Sequence, residues 1–556
     1  MLVLSAAEMQ ACDRVTTERF GIPSVDLMRN AARSIAEFTR QQFPSARRIT
    51  ILCGRGNNGG DGLMAAPLLA DAGLAVIVIV LGAPDDIKGD AAVAWRELEV
   101  AGSCTIHIVN TAEDLAKHDD ALITDLIIDA VVGTGFKPPL KGLPLAALEW
   151  VNSGLSRAAV PVLAVDLPSG WPADETKATV SDPVFPADAV VTFTAPKPAH
   201  VFGQLTGAWN QPVVVAPIGS PDEAIISGLQ VHWAGSAQDM IHSPRKADAN
   251  KGKFGHVVVV GGAFGSAGGK AGAPSMAAMA AMRVGAGLVT AAVPAPALAV
   301  VSSHAPELMT WPLKANDAGE ASPDNLTPDS VAALTKGMTV LAIGPGLGQS
   351  EDTARFCIGL LKATSVPAVI DADALNILAK DPNTLPELTR NGRVIVITPH
   401  PGEMSRLAGI STADVQARRL EVAREFAHRS GVIVVLKGAR TLIAIPDGHS
   451  AVNTTGNPGM AKGGSGDLLT GMVAGLLAQY PNDAVRAVEA AVFLHGLAAD
   501  FAVKNADEHT LLATDSLRYF SQAFRFRSRT ANGYVWLQGL PGGLFHRESG
   551  SHEAAE

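Results

Sequence analysis

Apolar runs of strand length alternate with helical stretches through most of this chain, and they end repeatedly in glycine and carboxylate. The helical readings Ala6 to Thr17 and Ser24 to Gln42 come first, separated by Gly21-Ile22-Pro23. The apolar run Ile49 to Cys53 follows, then the turn GRGNNGGDG (Gly54 to Gly62), then a predicted helix over Leu63 to Ala72. Strand, glycine-rich turn and helix in that order open a nucleotide-type βαβ unit. Further strands are predicted at Ala75 to Leu81, Thr105 to Val109, Leu126 to Val132, Val162 to Asp166 and Ala189 to Thr194. Most are continuous apolar runs, the pattern of a parallel sheet covered on both faces. Ligands of such sheets sit at the carboxyl ends of the strands. Polar residues collect there: Asn57, Asn58 and Asp61, then Asp129 with Gly133-Thr134-Gly135, then Asp166 and Ser169.

Around Pro217 to Asn250 the pattern lapses into GSPDEA and HSPRKADANKG, and a second alternation begins at His256. Its strands are predicted at Val257 to Val260, Leu288 to Val293, Val340 to Ile343, Ala368 to Asp371, Val394 to Ile397 and Val432 to Leu436. Helices are expected over Pro274 to Val284, Asp483 to Val503 and Asp515 to Phe524. Beyond Arg525 periodicity is lost. The expected division is a domain over 1–219, a linker over 220–250, a domain over 251–525 and an irregular tail over 526–556. Each half has strands and helices enough to close its own sheet, so the halves are expected to be separable.

A chain of 556 residues is too long for one core. Its 47% hydrophobic and 18% charged content is that of a globular protein. The net charge of −10 argues against nucleic-acid and anionic-membrane binding, leaving room for a local phosphate pocket. Cys12, Cys53, Cys104 and Cys357 form no CxxC pair and read as reduced thiols. The first residues, with Glu8 and Asp13, lack a basic signal-peptide region, and no apolar run reaches the ~20 residues of a membrane span. A soluble, cytoplasmic α/β protein is expected.

The second half is organised around Asn453 to Ala478, NTTGNPGMAKGGSGDLLTGMVAGLLA. Gly459, Gly463, Gly464 and Gly466 let several N–H groups turn toward one point. The helix predicted from Asp467 to Leu477 brings its positive dipole end to the same point, making an anion site suited to phosphate. Asp467 is out of place beside a phosphate unless it takes a proton from an attacking hydroxyl; otherwise it caps the helix. GPGLG (Gly344 to Gly348) follows a strand and adds a phosphate or ribose contact. DADALN (Asp371 to Asn376) and TPHPGE (Thr398 to Glu403) end the next two strands. Asp371 and Asp373 read equally as helix caps, and His400 as a turn residue. KGART (Lys437 to Thr441) offers a lysine to diphosphate oxygens. No GxxxxGK[ST] is present, so this is no P-loop enzyme.

In the first half, Asn58, Asp129 and Ser169 offer oxygen ligands without thiol or imidazole, which suits a hard cation, monovalent before Mg²⁺. Asp166 could equally cap the turn that follows it.

Taken together, the motifs resemble a fused pair of domains, the bifunctional NAD(P)H-hydrate repair enzymes of bacteria. The first half is similar to NAD(P)H-hydrate epimerase through LSAAEMQACDR, FGIPSVDLMRNAA, GRGNNGGDG, DAVVGTGF, DLPSGW and TFTAPKP. The second is similar to ADP-dependent NAD(P)H-hydrate dehydratase through GAPSMAAMAAMRVGAGLVT, GPGLG, DADALN, TPHPGE, KGART and NPGMAKGGSGDLLTGMVAGLLAQ. WPADETK departs from the family's acidic turn after the tryptophan, and Gly272-Ala273-Pro274 replaces the commoner Gly-Ala-Ala. The resemblance implies a Rossmann-like α/β/α domain followed by a ribokinase-like α/β domain.

It also implies residue roles. Asn57, Asn58, Gly59, Gly60 and Asp61, with Gly133, Thr134, Gly135, Phe136, Lys137, Pro138 and Pro139, would line the epimerase's hydrate site. Asp166 would be its acid/base, and Asn58, Asp129 and Ser169 would bind K⁺. In the dehydratase, Ala273, Gly346, His400 and Asp467 would hold the hydrate. Lys437, Gly438, Ala439, Arg440, Thr441 and Gly466 would hold ADP, which arrives with Mg²⁺. The N–H groups of Gly463, Gly464, Ser465 and Gly466 would form an anion hole. Asp467 would be the base for phosphorylation of the C6 hydroxyl, and loss of phosphate would restore the reduced ring and leave AMP. The expected partners are hydrated NADH or NADPH and ADP, with no nucleic acid or membrane, and a homo-oligomer is expected. GSGD before a helix also occurs in ribokinase-type small-molecule kinases, so the alternative is such a kinase with an idle N-terminal ligand-binding module.

Overall fold

The continuous apolar runs are buried parallel strands, as their lack of alternation predicts. The structure, a computed structural model, describes residues 1–155, 160–266 and 268–541. Among the described residues the chain divides into two units: Leu2–Leu229 with 528–541, and Gln230–Arg527 with Met1.

In the first unit the strands are β1 (Arg48–Cys53), β2 (Ala75–Leu81), β3 (Thr105–Val109), β4 (Leu126–Ala130), β5 (Val162–Val165), β6 (Ala189–Phe193) and β7 (Val213–Ala216). All seven run parallel, in the spatial order β7-β6-β5-β4-β1-β2-β3. Successive side chains of β1 point to opposite faces. Ile49, Ile51 and Cys53 join one core with Leu27, Ile35 and Phe38, whereas Leu52 joins another with Ile79, Ile127 and Trp150. Helix α1 (Ala6–Glu18) starts at Ser5, whose hydroxyl accepts the Glu8 N–H while the Glu8 carboxylate accepts the Ser5 N–H. Helices α2 (Ser24–Gln42) and α3 (Asn57–Asp71) pack together over the first face.

Helix α3 begins inside GRGNNGGDG, whereas the turn was expected to run to Gly62. Its glycines explain the difference, because they let the backbone close up. A Cβ on Gly59 would lie 1.8 Å from the Gly54 carbonyl oxygen, and one on Gly54 would lie 2.0 Å from that of Val131.

The second unit contains β8 (Val231–Trp233), β9 (His256–Val260), the short hairpin β10 (Phe264–Gly265) and β11 (Gly268–Gly269), β12 (Leu288–Pro294), β13 (Met309–Leu313), β14 (Val340–Ile343), β15 (Ala368–Ile370), β16 (Ile395–Ile397), β17 (Ile433–Leu436), β18 (Leu442–Ala444) and β19 (Ser450–Val452). Its ten-stranded sheet has the order β13-β12-β9-β14-β15-β16-β17-β18-β19-β8. It is parallel except where β18 pairs antiparallel with β17 and β19. The helices Gly272–Arg283 and Ser465–Gln479 pack closely because the second carries glycines on its contact face. A Cβ on Gly471 would meet the Ala277 carbonyl oxygen at 1.9 Å, and one on Gly475 would meet Val284 at 2.5 Å.

Two expectations need correction. The segment 220–250 is not linker throughout, since β8 pairs in parallel with β19. Trp233 is buried there, donating to the Thr454 hydroxyl at 2.8 Å and lying edge-on to Phe493. A three-residue strand is too short to show periodicity. Nor is the tail irregular throughout, because β20 (Val535–Gln538) pairs antiparallel with β7. Tyr534 and Trp536 join the core of the first unit, with the Trp536 ring 6.1 Å from Phe38. The rest of the expected tail, 542–556, lies outside the described residues.

The first unit therefore depends on a strand from the far end of the chain. Trp536→Ala is expected to destabilise it by about 3 kcal/mol, visible as an earlier transition in differential scanning calorimetry. A piece ending at Gly219 should melt lower than the same unit in the full chain. Equal melting in both experiments would show that β20 adds nothing to the core.

Candidate active sites

Each unit gathers its polar residues at the carboxyl ends of its parallel strands, where backbone N–H groups and loops converge. In the first unit a cavity of about 990 Å³ opens there. Among the predicted residues, Asn57, Asn58, Asp61, Gly133, Thr134, Gly135, Phe136 and Asp166 line it. Gly59 and Gly60 are buried behind it in helix packing, and Lys137, Pro138 and Pro139 are exposed outside its walls.

Asp166 directly follows β5, in the left-handed region with φ 64°, a strained conformation for a residue with a side chain. Four donors hold it there. Lys197 Nζ at 2.9 Å and the Thr192 hydroxyl at 2.8 Å reach one oxygen; the Thr134 N–H at 2.9 Å and the Thr134 hydroxyl reach the other. Burial opposes its charge, but Lys197, His200 and these hydrogen bonds outweigh it and hold the carboxyl well below the usual range. His200 receives the Lys197 N–H on Nδ1 at 2.9 Å, so its Nε2 donates to the Asp166 carbonyl at 2.7 Å. Burial pushes this imidazole down to about 4.

Asp129 and Ser169 lie beneath the cavity, both fully buried. The Ser169 hydroxyl donates to Asp129 at 2.6 Å, and its N–H at 2.8 Å. Burial pushes the Asp129 carboxyl up to about 6, and no cation among the described residues offsets it. Asn58 is buried with both amide atoms lacking hydrogen-bond partners. A Cβ on Gly133 would lie 3.0 Å from both Asn58 Oδ1 and Asp166 Oδ2, so the two side chains converge on one point of the backbone. An orphaned amide oxygen and an uncompensated buried carboxyl fit a cation with oxygen ligands.

The motif readings assigned no role to Lys197 or Asp13, although both lie in quoted motifs, TFTAPKP and LSAAEMQACDR. Both line the cavity, and Asp13 Oδ1 is buried without a hydrogen-bond partner.

In the second unit the Gly-rich loop turns into the helix Ser465–Gln479 at Gly464, which has φ 98°. Asp467 lies in the first helical turn. Burial and the nearby Asp371 push its carboxyl up to about 7 against the pull of Lys437. Asp371, buried at the end of β15, accepts Lys437 Nζ at 2.9 Å and the Thr470 hydroxyl at 2.7 Å. A Cβ on Gly466 would lie 3.3 Å from Lys437 Nζ and 3.7 Å from Asp371. The glycine thus leaves open the point where the helix end, lysine and carboxylates meet. Ser465 bonds through its backbone to the buried His495, and Gly463 has open space around its Cα.

Gly346 and Ala273 are neighbours: a Cβ on the first would lie 3.3 Å from that of the second. His400 caps the helix Pro401–Ala408, its Nδ1 accepting the N–H groups of Gly402 at 3.0 Å and Glu403 at 3.4 Å. KGART does not point to a single place. Lys437 turns toward Asp371 and Glu403, Gly438 and Ala439 are exposed, Arg440 reaches the Thr454 carbonyl, and Thr441 donates to Gly438.

Comparison with known proteins agrees on both halves. The family described as YjeF-related protein N-terminus matches residues 24–199, and the one described as NAD(P)H-hydrate dehydratase matches residues 257–521. The chain is 40% identical over 538 residues to the bifunctional NAD(P)H-hydrate repair enzyme Nnr of Moorella thermoacetica, covering 94% of this chain and 97% of the relative. It is 36% identical over 513 residues to that of Coxiella burnetii, covering 91% and 96%. The crystal structure of the Bacillus subtilis ADP/ATP-dependent NAD(P)H-hydrate dehydratase, co-crystallized with ATP/Mg²⁺, is 30% identical, covers 52% of this chain and 96% of its own, and has a TM-score of 0.43. With relatives this similar over nearly their whole length, the chain belongs to the family of bifunctional NAD(P)H-hydrate repair enzymes.

Proposed function

We propose that the two halves repair hydrated NADH and NADPH in sequence: the first interconverts the R and S hydrates, and the second dehydrates the S hydrate at the expense of ADP. The observation that carries the second step is Asp467, a carboxyl raised toward neutrality in the first turn of a glycine-led helix beside Lys437. A base with that pKa is matched to proton transfer near neutral pH. Asp467 takes the proton from the C6 hydroxyl as its oxygen attacks the β-phosphorus of ADP, and AMP leaves. The N–H groups of Gly463 to Gly466 and the Lys437 ammonium face the developing phosphoryl charge. The C6–O bond then breaks, phosphate departs and loss of the C5 proton restores the ring double bond. Ala273, Gly346 and His400 would orient the hydrate, and residues 437–441 with Gly466 would hold ADP. Magnesium arriving with ADP would supply counter-charge to its phosphates.

In the first half, the Asp166 carboxylate contacts the nicotinamide hydrate, with Asn57, Asn58 and Thr134 around it. Asn58, Asp129 and Ser169 would hold potassium, which would supply a fixed positive charge there. This reading includes a cytoplasmic location and a homo-oligomeric assembly, the latter checked by light scattering. Family membership sets aside the small-molecule kinase with an idle first half.

Incubation with mixed R and S NADH hydrate plus ADP, followed by the absorbance of reduced nicotinamide, tests the whole. Asp467→Asn should lower dehydration by ~10²–10⁴-fold while R and S still interconvert; retention of more than about a tenth would make Asp467 a helix cap. Asp467 must be ionised to accept a proton, and its carboxyl is pushed up to about 7. The kcat/KM for dehydration should therefore fall as the pH drops below that value and level off above it. A flat profile would remove Asp467 as the base.

Asp166→Ala should consume the S hydrate and stall on the R hydrate, apart from slow spontaneous epimerisation. Consumption of both at the wild-type rate would remove Asp166 from the mechanism.

A further inference from the structure

Asp166 is poorly suited to move a proton. Each of its oxygens already accepts two hydrogen bonds, and Lys197 lies 2.9 Å away. Protonating it would break that set, yet interconverting two C6 epimers of a hydrate calls for a proton donor. The C6–O bond must break and re-form on the other face of the ring, and hydroxide is a poor leaving group without a proton.

Of the other carboxyls that line the same cavity, Asp86 is exposed and paired with Arg55 and Asp90 lies on the same side, whereas Asp13 on α1 and Asp61 on α3 interact with Asp166 and Lys197. Asp13, Asp61 and Asp166 share Lys197 as the cation each interacts with, so the three cannot all be ionised cheaply. Asp13 has one oxygen buried with no hydrogen-bond partner, a group left unsatisfied in the folded protein. An unsatisfied carboxyl oxygen lining a cavity of this size calls for a ligand to complete it.

We propose that Asp13 is the second catalytic carboxyl of the first half: it gives its proton to the departing C6 hydroxyl and takes one back from the water that re-adds. The step balances without oxidant or reductant. Asp13 protonates the hydroxyl, the C6–O bond breaks and water leaves, while the ring nitrogen lone pair forms the planar C6 cation. Asp166 stays ionised and offsets that positive charge. Water adds to the opposite face and returns its proton to Asp13, directly or through a second water.

The electrostatics agree. Burial, with Asp166 adding to it and Lys197 opposing, pushes the Asp13 carboxyl up to about 6. Asp61 is raised well above the usual range by burial and by Asp166 and Asp13. Asp13, raised to about 6, can release and regain a proton near neutral pH. The charged groups around Asp13 are Lys197, Asp166 and Asp61, together with Asp222 and Glu223 on the turn packed against α1, which stand in solvent.

The proposal rests on the epimerase reading, so the wild-type full chain is measured first, by chromatographic R/S equilibration of NADH hydrate without ADP. Failure of the wild type to interconvert the epimers would overturn that reading and this proposal together. If it does interconvert them, Asp13→Asn is expected to lower kcat for interconversion by about 10²-fold with KM nearly unchanged. Dehydration of the S hydrate with ADP should not change. The wild-type rate should decline as pH rises above about 6, where Asp13 loses its proton; Asp13→Glu should keep such a limb and Asp13→Asn should lose it.

Because Asp13 is an unsatisfied acid, its replacement by Asn should leave the unfolding temperature unchanged or raise it. Near wild-type interconversion in Asp13→Asn would overturn the proposal. So would a loss of rate matched by a loss of stability that Asp13→Glu does not relieve, or a pH limb that only Asp61→Asn removes.

Discussion

Lys197 and Lys437 each lie 2.9 Å from the aspartate that follows a parallel strand, Asp166 in one half and Asp371 in the other. These two contacts set the charge of both sites. Threonine hydroxyls complete each, Thr192 and Thr134 on Asp166 and Thr470 on Asp371. A buried ion pair is weak evidence for stability, because desolvation cancels much of its attraction. Its two ions instead modulate carboxyls that burial has already raised: Asp166 adds to the rise of Asp13 and Asp61 while Lys197 opposes it, and Asp371 adds to that of Asp467 while Lys437 opposes it. Separating the pKa values of neighbouring acids is how one site comes to hold both a stable charge and a mobile proton.

The backbone is strained at these same positions. Asp166 at φ 64° and Ala372 at φ 51°, just past the ends of β5 and β15, and Arg440 at φ 56°, in the turn between β17 and β18, are residues with side chains in the left-handed region. Such conformations cost about 1–3 kcal/mol each and persist where surrounding bonds over-determine them. Around Asp166 that over-determination is visible in its four donors. Around Asp371, the Gly344 backbone packs so closely that a Cβ there would lie 1.9 Å from the Asp371 carbonyl oxygen. GPGLG is therefore needed for packing at this strand end as well as for any contact with ligand.

Most of the fold was legible because buried parallel strands leave an unmistakable record, uninterrupted runs such as Ile49 to Cys53 and Val257 to Val260. Asp166 and Asp467 drew notice as candidates for a related reason: a charged residue at the edge of an apolar run stands out. Lys197 did not stand out, because its partner is 31 residues away and nothing local links them. Asp13 sits in a helix with several polar residues, and only the fold shows that it faces the cavity. Lys137 to Pro139, expected at the hydrate site, are exposed outside the cavity's walls, since adjacency in a loop does not bring every member to the wall. Among the strands not predicted are β7, β8, β13, β18, β19 and β20; β8 (Val-His-Trp) and β20 (Val-Trp-Leu-Gln) are short and mixed in polarity, so they do not stand out as apolar runs.

The position of β20 has a consequence for how the first half forms. Strand β7 would present an unpaired edge without it, and exposed edges invite pairing with other chains. Tyr534 and Trp536 carry apolar surface to the same place, covering Phe38 and α2. All of this follows the second half in sequence, so during synthesis the first half can assemble β1 to β7 but must wait for the whole chain before its sheet is complete. Domains of a fused protein commonly fold in order from the N-terminus. Here the first to emerge is the last to close, and the fusion is therefore more than two enzymes joined by a tether: the polypeptide passes out of the first unit near Leu229 and returns to it at Ser528.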